Sequence, residues 1–67
     1  MRDTLWFVTD GVSLVSVHES EREAERAYEQ YQDDPDFEYY DFYAIDADEL
    51  EDYPEEYELA LEKGLVE

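Results

Sequence analysis

No cysteine occurs in this chain, so disulfides and thiolate zinc sites are excluded. Lysine occurs once, at Lys63, and histidine once, at His18. After Arg26 no basic residue follows until Lys63. So few cations, with a net charge of -18, argue against direct binding to nucleic-acid phosphate and against attraction to anionic membranes. No apolar run approaches the roughly 20 residues of a membrane span. Met1-Arg2-Asp3 leads straight into a strand-like segment without a signal-peptide pattern, and the expected location is the cytoplasm. Sixty-seven residues allow one small domain, 1–67, with a thin core that needs good packing or a partner.

What the chain does have is carboxylate and aromatic surface. Fifteen acids lie between Arg26 and Lys63: Glu29, Asp33, Asp34, Asp36, Glu38, Asp41, Asp46, Asp48, Glu49, Glu51, Asp52, Glu55, Glu56, Glu58 and Glu62. All seven tyrosines lie in the same half, and the aromatic share of 16% is high for so acidic a chain. Large rings bury much area per residue, so this is not the composition of a disordered acidic tail.

Thr4 to Thr9 is aromatic and β-branched and predicts a strand. Asp10-Gly11 is the dipeptide favoured by a two-residue type I′ turn, and Val12 to Val17 predicts the return strand. That turn sets Thr9 opposite Val12, Phe7 opposite Leu14 and Leu5 opposite Ser16. The first strand is apolar on both faces, as a central strand is. Ser20-Glu21-Arg22-Glu23 matches a capping box. A helix is expected from there to about Gln32, with Ala24, Ala27, Tyr28 and Tyr31 as its apolar stripe. Arg22 and Arg26 are expected to be neutralised by Glu23, Glu25 or Glu29 within that helix, and Arg2 lies at the terminus. Asp34 before Pro35 ends the helix. Phe37 to about Ala47 predicts a long strand, with one face for the helix and the other open to a partner or a second copy. Pro54 suits a first helical position and Gly64 a helix C-cap, giving a second helix from about Pro54 to Lys63. Leu50, Tyr53, Tyr57 and Leu61 form its expected stripe.

The expected fold is therefore a single α+β domain of order ββαβα. Its three-stranded sheet has order 2-1-3, one helix packs on one face, and a short C-terminal helix follows.

Catalysis has little to stand on. Ser13 and Ser16 fall on opposite faces of one strand, and nothing specifies a Ser-His-carboxylate geometry. The chain is read as a non-enzyme without cofactor. Asp46-x-Asp48 begins like a calcium loop, but Leu50 and Glu51 stand where a third ligand and glycine are required, so no metal site is predicted.

The spacing of the acids is more telling. Residues two apart on a strand stand about 6.5–7 Å apart, and helix neighbours about 5–6 Å. Successive phosphates of one DNA strand advance about 3.4 Å along the axis and lie farther apart through space. Asp34-Asp36-Glu38, Asp46-Asp48, Glu51-Glu55-Glu58-Glu62 and Asp52-Glu56 can therefore approximate a row of phosphates. The candidate partner-binding residues are Asp33, Asp34, Asp36, Glu38, Asp41, Asp46, Asp48, Glu49, Glu51, Asp52, Glu55, Glu56 and Glu58. Tyr39, Tyr40 and Tyr53 are the candidate anchors.

This combination of small size, extreme negative charge, no cysteine and many tyrosines resembles the DNA-mimic proteins of phages and mobile elements, including anti-restriction and anti-CRISPR inhibitors. The resemblance is one of composition over the whole chain. It implies an inhibitor, monomeric or dimeric, that occupies the basic groove of a nucleic-acid-binding protein, in the host cytoplasm if phage-encoded. Val17 to Ala24, a strand entering a capped helix, is also similar to small ββαβ domains of bacteria and archaea, which implies a fold and no activity. Two alternatives stand beside this reading. One is a halophile-type adaptor whose acids are a solvation coat and whose partner contact is apolar, on the Phe37–Ala47 segment. The other is a regulatory or toxin-neutralising partner of a basic protein.

Overall fold

The computed structural model describes residues 4–65, and Met1-Arg2-Asp3, read above for a leader and for the terminal Arg2, lies outside them. Strands β1 (Thr4–Thr9) and β2 (Leu14–His18) precede helix α1 (Glu21–Glu29). A 3-10 turn at Phe37–Tyr39, strand β3 (Asp41–Asp46), a 3-10 segment at Ala47–Asp52 and helix α2 (Pro54–Glu62) complete the order. The sheet runs β2-β1-β3 with both pairings antiparallel, so the ββαβα order and the central place of the first strand are as expected.

The alternation of β1 sets the layers. Leu5 and Phe7 point to one face and cluster with Ile45, Leu50 and Ala60. Trp6 and Val8 point to the other, where Phe42 lies opposite Val8 and touches the Tyr28 ring of α1 at 5.2 Å. One face is thus covered by α1, the other by α2 and the 3-10 segment before it. Phe7 and Val8 are adjacent and both fully buried, each against a different layer. Burying a side chain such as Phe7 contributes about 1.5–3 kcal/mol. The second face of β3, expected to stay open for a partner or a second copy, is instead used within the fold: Ile45 is buried with Leu50 and Ala60, and the Tyr43 hydroxyl donates to Glu56, while Ala44 on the α1 face stays exposed.

The hairpin register differs from the expected one. Thr9 pairs with Leu14, Val8 with Ser16, Phe7 with Val17 and Trp6 with His18, with a bulge after Val8. A type I′ turn requires positive φ at both central residues, but Gly11 and Gly64 are the only described residues with positive φ. Instead Asp10 folds its carboxylate onto the amides of Val12 (2.9 Å) and Ser13 (2.8 Å), and the Asp10 amide closes on the Ser13 carbonyl at 3.1 Å. Capturing those amides lengthens the loop to residues 10–13 and shifts the return strand.

Helix α1 starts as its sequence dictates. The Ser20 hydroxyl accepts from the Glu23 amide at 3.3 Å, while the Glu23 carboxylate reaches back to the Glu19 amide at 3.4 Å. It ends at Glu29, earlier than Gln32, and the chain continues in single turns through Tyr31 and Gln32. Arg22 and Arg26 stay exposed, and among the described residues no ion pair joins either to Glu23, Glu25 or Glu29. Helix α2 has Pro54 in its first turn. At its end the Gly64 amide bonds to the Leu61 carbonyl (3.0 Å) and the Leu65 amide to the Ala60 carbonyl (2.9 Å), with Gly64 at φ +76°. This is the Schellman pattern, and Leu65 packs on the core beneath it. Of the expected stripe, Leu50 is buried and Tyr57 half-buried, but Tyr53 and Leu61 are exposed. The helical period does not extend back through the 3-10 segment, so Ala60 and Leu59 take the inward positions.

Candidate functional site

The long strand expected from Phe37 to Ala47 is a turn followed by a shorter strand. Asp34 Oδ1 accepts from the Asp36 amide at 2.8 Å, an Asx turn directed by Pro35. The chain then coils through Phe37–Tyr39 before β3 begins. Tyr31 stacks on Tyr40 at 4.7 Å and Tyr28 meets Phe37 at 4.8 Å, so the aromatic run packs on the end of α1 and does not extend the sheet. Asp34-Asp36-Glu38 is therefore no strand-spaced row. Asp33, Asp36 and Glu38 are exposed, while Asp34 is half-buried and also receives the Tyr40 hydroxyl at 3.5 Å. Desolvation, then the carboxylates of Asp34 and Asp10, raise the Tyr40 phenol above its ordinary range.

Two further acids belong to the sheet. Asp41 accepts from the Phe42 amide at 2.8 Å, and Asp46 accepts from the Thr4 hydroxyl at 3.1 Å. Asp46 ends β3 and Asp48 lies in the 3-10 segment, so that pair also lacks strand spacing. Asp48, Glu49, Glu51 and Asp52 surround the buried Leu50 and are all exposed. On α2, Glu55, Glu58 and Glu62 share one face and line a hollow with Leu59 and the hairpin residues Val12, Ser13 and Leu14. Helix spacing brings these three carboxylates together as expected. Glu51 falls outside the helix, so the row begins at Glu55. Glu56 turns the other way and accepts the Tyr43 hydroxyl at 2.8 Å. Burial first, then that bond, pushes the Tyr43 phenol well above its ordinary range. Glu56 thus serves the fold more than the surface, and the Asp52–Glu56 pairing read for the row is not formed, leaving Asp52 exposed without it.

Among the anchors, Tyr39 and Tyr53 are exposed, and Tyr40 is half-buried in its stack on Tyr31. Tyr39, Tyr40 and Asp36 line an open hollow of about 370 Å³ together with Asp10, Gly11 and Val12. Sequence reasoning missed these last three as site residues because Asp10-Gly11 reads only as a turn. Hydrogen bonds from the amides of Ser13 and Val12 hold the Asp10 carboxyl below its ordinary range.

Two of the three described Lys and Arg residues share one groove. Arg26 and Lys63 line it with His18, Glu19, Glu23 and Gln30, and no residue between 33 and 62 enters it. The charge segregation of the sequence thus persists in space. The Ser16 hydroxyl and His18 Nε2 stand 2.8 Å apart, which is nucleophile-to-base distance. Among the described residues no carboxylate is bonded to the ring to complete a triad. Among them, too, no group of three or more His, Asp or Glu converges as a metal would require. No described helix is long and apolar enough to cross a membrane.

Comparison with known proteins adds no relative: no protein-family model matches the chain, and neither a curated protein nor a solved structure does.

Proposed function

We propose that this domain is a nucleic-acid mimic. It binds the basic groove of a nucleic-acid-binding protein, such as a CRISPR or restriction complex, and blocks it sterically and electrostatically without turnover. The observation that supports this most is the belt of exposed carboxylates at Asp48, Glu49, Glu51, Asp52, Glu55 and Glu58, with two of the three described Lys and Arg residues, Arg26 and Lys63, in a separate groove and the third, Arg22, on α1. Folding alone gives no reason for this belt. None of these six acids bonds to another group among the described residues, and like charges on a small domain destabilise it. A basic groove meeting the belt would release its own bound anions and relieve that repulsion. The reading is tested by adding the domain to a restriction or CRISPR complex holding fluorescent duplex and following anisotropy. Displacement that weakens as salt rises supports it, because pairs at an exposed interface are screened.

A second reading, the solvation coat of a halophile-type protein, is favoured by one observation. Glu21, Glu23, Glu25 and Glu29 of α1 are exposed as well, which spreads charge beyond the belt. An apolar adaptor contact on β3 would have to use the exposed Ala44 and the half-buried Phe42 and Tyr43, since Ile45 is buried in the core. Melting followed against potassium chloride separates the two: a coat needs high salt for folding, and a mimic folds at low salt.

A further inference from the structure

We infer that the hollow between the 10–13 loop and the Phe37–Tyr39 turn is a receptor for an arginine side chain of the partner. The inference rests on the mimic reading and names what the partner must present. The two walls are built independently of any ligand. Gly11, at φ +94°, lies so close to Tyr39 that a Cβ on it would stand 3.0 Å from the Tyr39 carbonyl oxygen and 3.2 Å from its Cβ. The turn residue therefore cannot carry a side chain without forcing the walls apart.

The lining has one consistent chemistry. Val12 is 93% exposed and Tyr39 61% exposed, so apolar surface and an aromatic ring are offered to a solute without being needed by the core. The Asp10 carboxylate accepts from the two loop amides through Oδ1, which holds it in the lining of the hollow. The Asp36 carboxylate has no bond among the described residues, since only its backbone amide is engaged. No cation lines the hollow. One carboxylate held by its loop and a second, exposed one, beside tyrosine rings and an isopropyl group, suit a cation on an aliphatic stem. Arginine is preferred to lysine, because a planar guanidinium can stack on a ring while its several N–H donors face the carboxylates that line the hollow.

The test uses the whole chain and two probes, N-acetyl-arginine amide and N-acetyl-lysine amide, followed by ¹H–¹⁵N NMR. The expected result is saturable shifts at Gly11, Val12, Tyr39 and Tyr40, tighter for the arginine probe. Tyr39→Ala, which keeps the Cβ against Gly11, is expected to weaken binding about threefold, and Asp36→Asn by a similar factor. Shifts that never saturate and spread equally over α2, or unchanged binding in both variants, would overturn the inference. The duplex-displacement assay run in parallel separates the two readings. Displacement that persists without arginine saturation ends the pocket alone, and a saturable pocket without displacement ends the mimic reading alone.

Discussion

Two runs of the acidic half behave differently. From Asp34 to Asp46 three of the five carboxylates shape the chain: Asp34 makes the turn across Pro35, Asp41 holds the Phe42 amide and Asp46 ties β3 to Thr4, while Asp36 and Glu38 stay exposed. From Asp48 to Glu58 they are exposed and unbonded among the described residues, Glu56 excepted. Charge alone does not distinguish the runs; hydrogen bonding does. The first run is acidic because a loop and an edge strand use short carboxylates as local acceptors. The second has no such reason, so a functional account must begin there.

The largest expected effect comes from breaking the second run. Replacing Glu51, Asp52, Glu55 and Glu58 together by lysine is expected to weaken duplex displacement by about a hundredfold or more. The circular-dichroism melt should hold or rise, since repulsion falls. A variant that keeps full potency would place the contact elsewhere. The contrast itself is sharpened by single substitutions in urea denaturation. Asp34→Ala is expected to cost about 1–2 kcal/mol, as two hydrogen bonds are lost at a half-buried site. Asp48→Ala should stay within about 0.5 kcal/mol. Equal losses would erase the distinction between the runs.

Glu56, the exception, predicts a smaller effect with a pH signature. Tyr43→Phe is expected to cost about 1 kcal/mol near neutral pH. The folded state holds the Tyr43 proton more tightly than the unfolded chain does, where the phenol titrates near 10.0. Its contribution is therefore complete below that pH and is lost as pH rises toward the higher folded value. Tyr43→Phe should remove part of the alkaline fall in stability, and an unchanged alkaline limb would refute the bond's role. The smallest effect lies on the acid side. Asp10 contributes stability above the ordinary carboxyl value of 3.8, and that contribution is lost only as pH falls through its lower folded value.

The fold was legible where one residue type carries one local meaning. Trp6-Phe7-Val8, apolar on both faces, marked the central strand, and Ser20, Glu23, Pro54 and Gly64 marked helix ends. It was not legible where a carboxylate could bond its own backbone. Asp10 drew in two amides and changed the hairpin register, and Asp34 turned an aromatic run of high strand propensity into a 3-10 coil. The closing of the second sheet face was hidden because Leu50 reaches the core from a 3-10 segment, outside the helical period. Of the candidate site, the Glu55–Glu58 face followed from helix spacing. The hollow at Tyr39 did not, because it depends on Gly11 meeting a residue far along the chain.

The most direct measurement is displacement of a fluorescent duplex from a restriction or CRISPR complex, comparing the natural chain with the Glu51, Asp52, Glu55 and Glu58 lysine variant. The account predicts that the natural chain displaces the duplex at low salt, progressively less as salt rises, and that the variant fails. Equal displacement by both, or none by the natural chain while it remains folded at low salt, would contradict it.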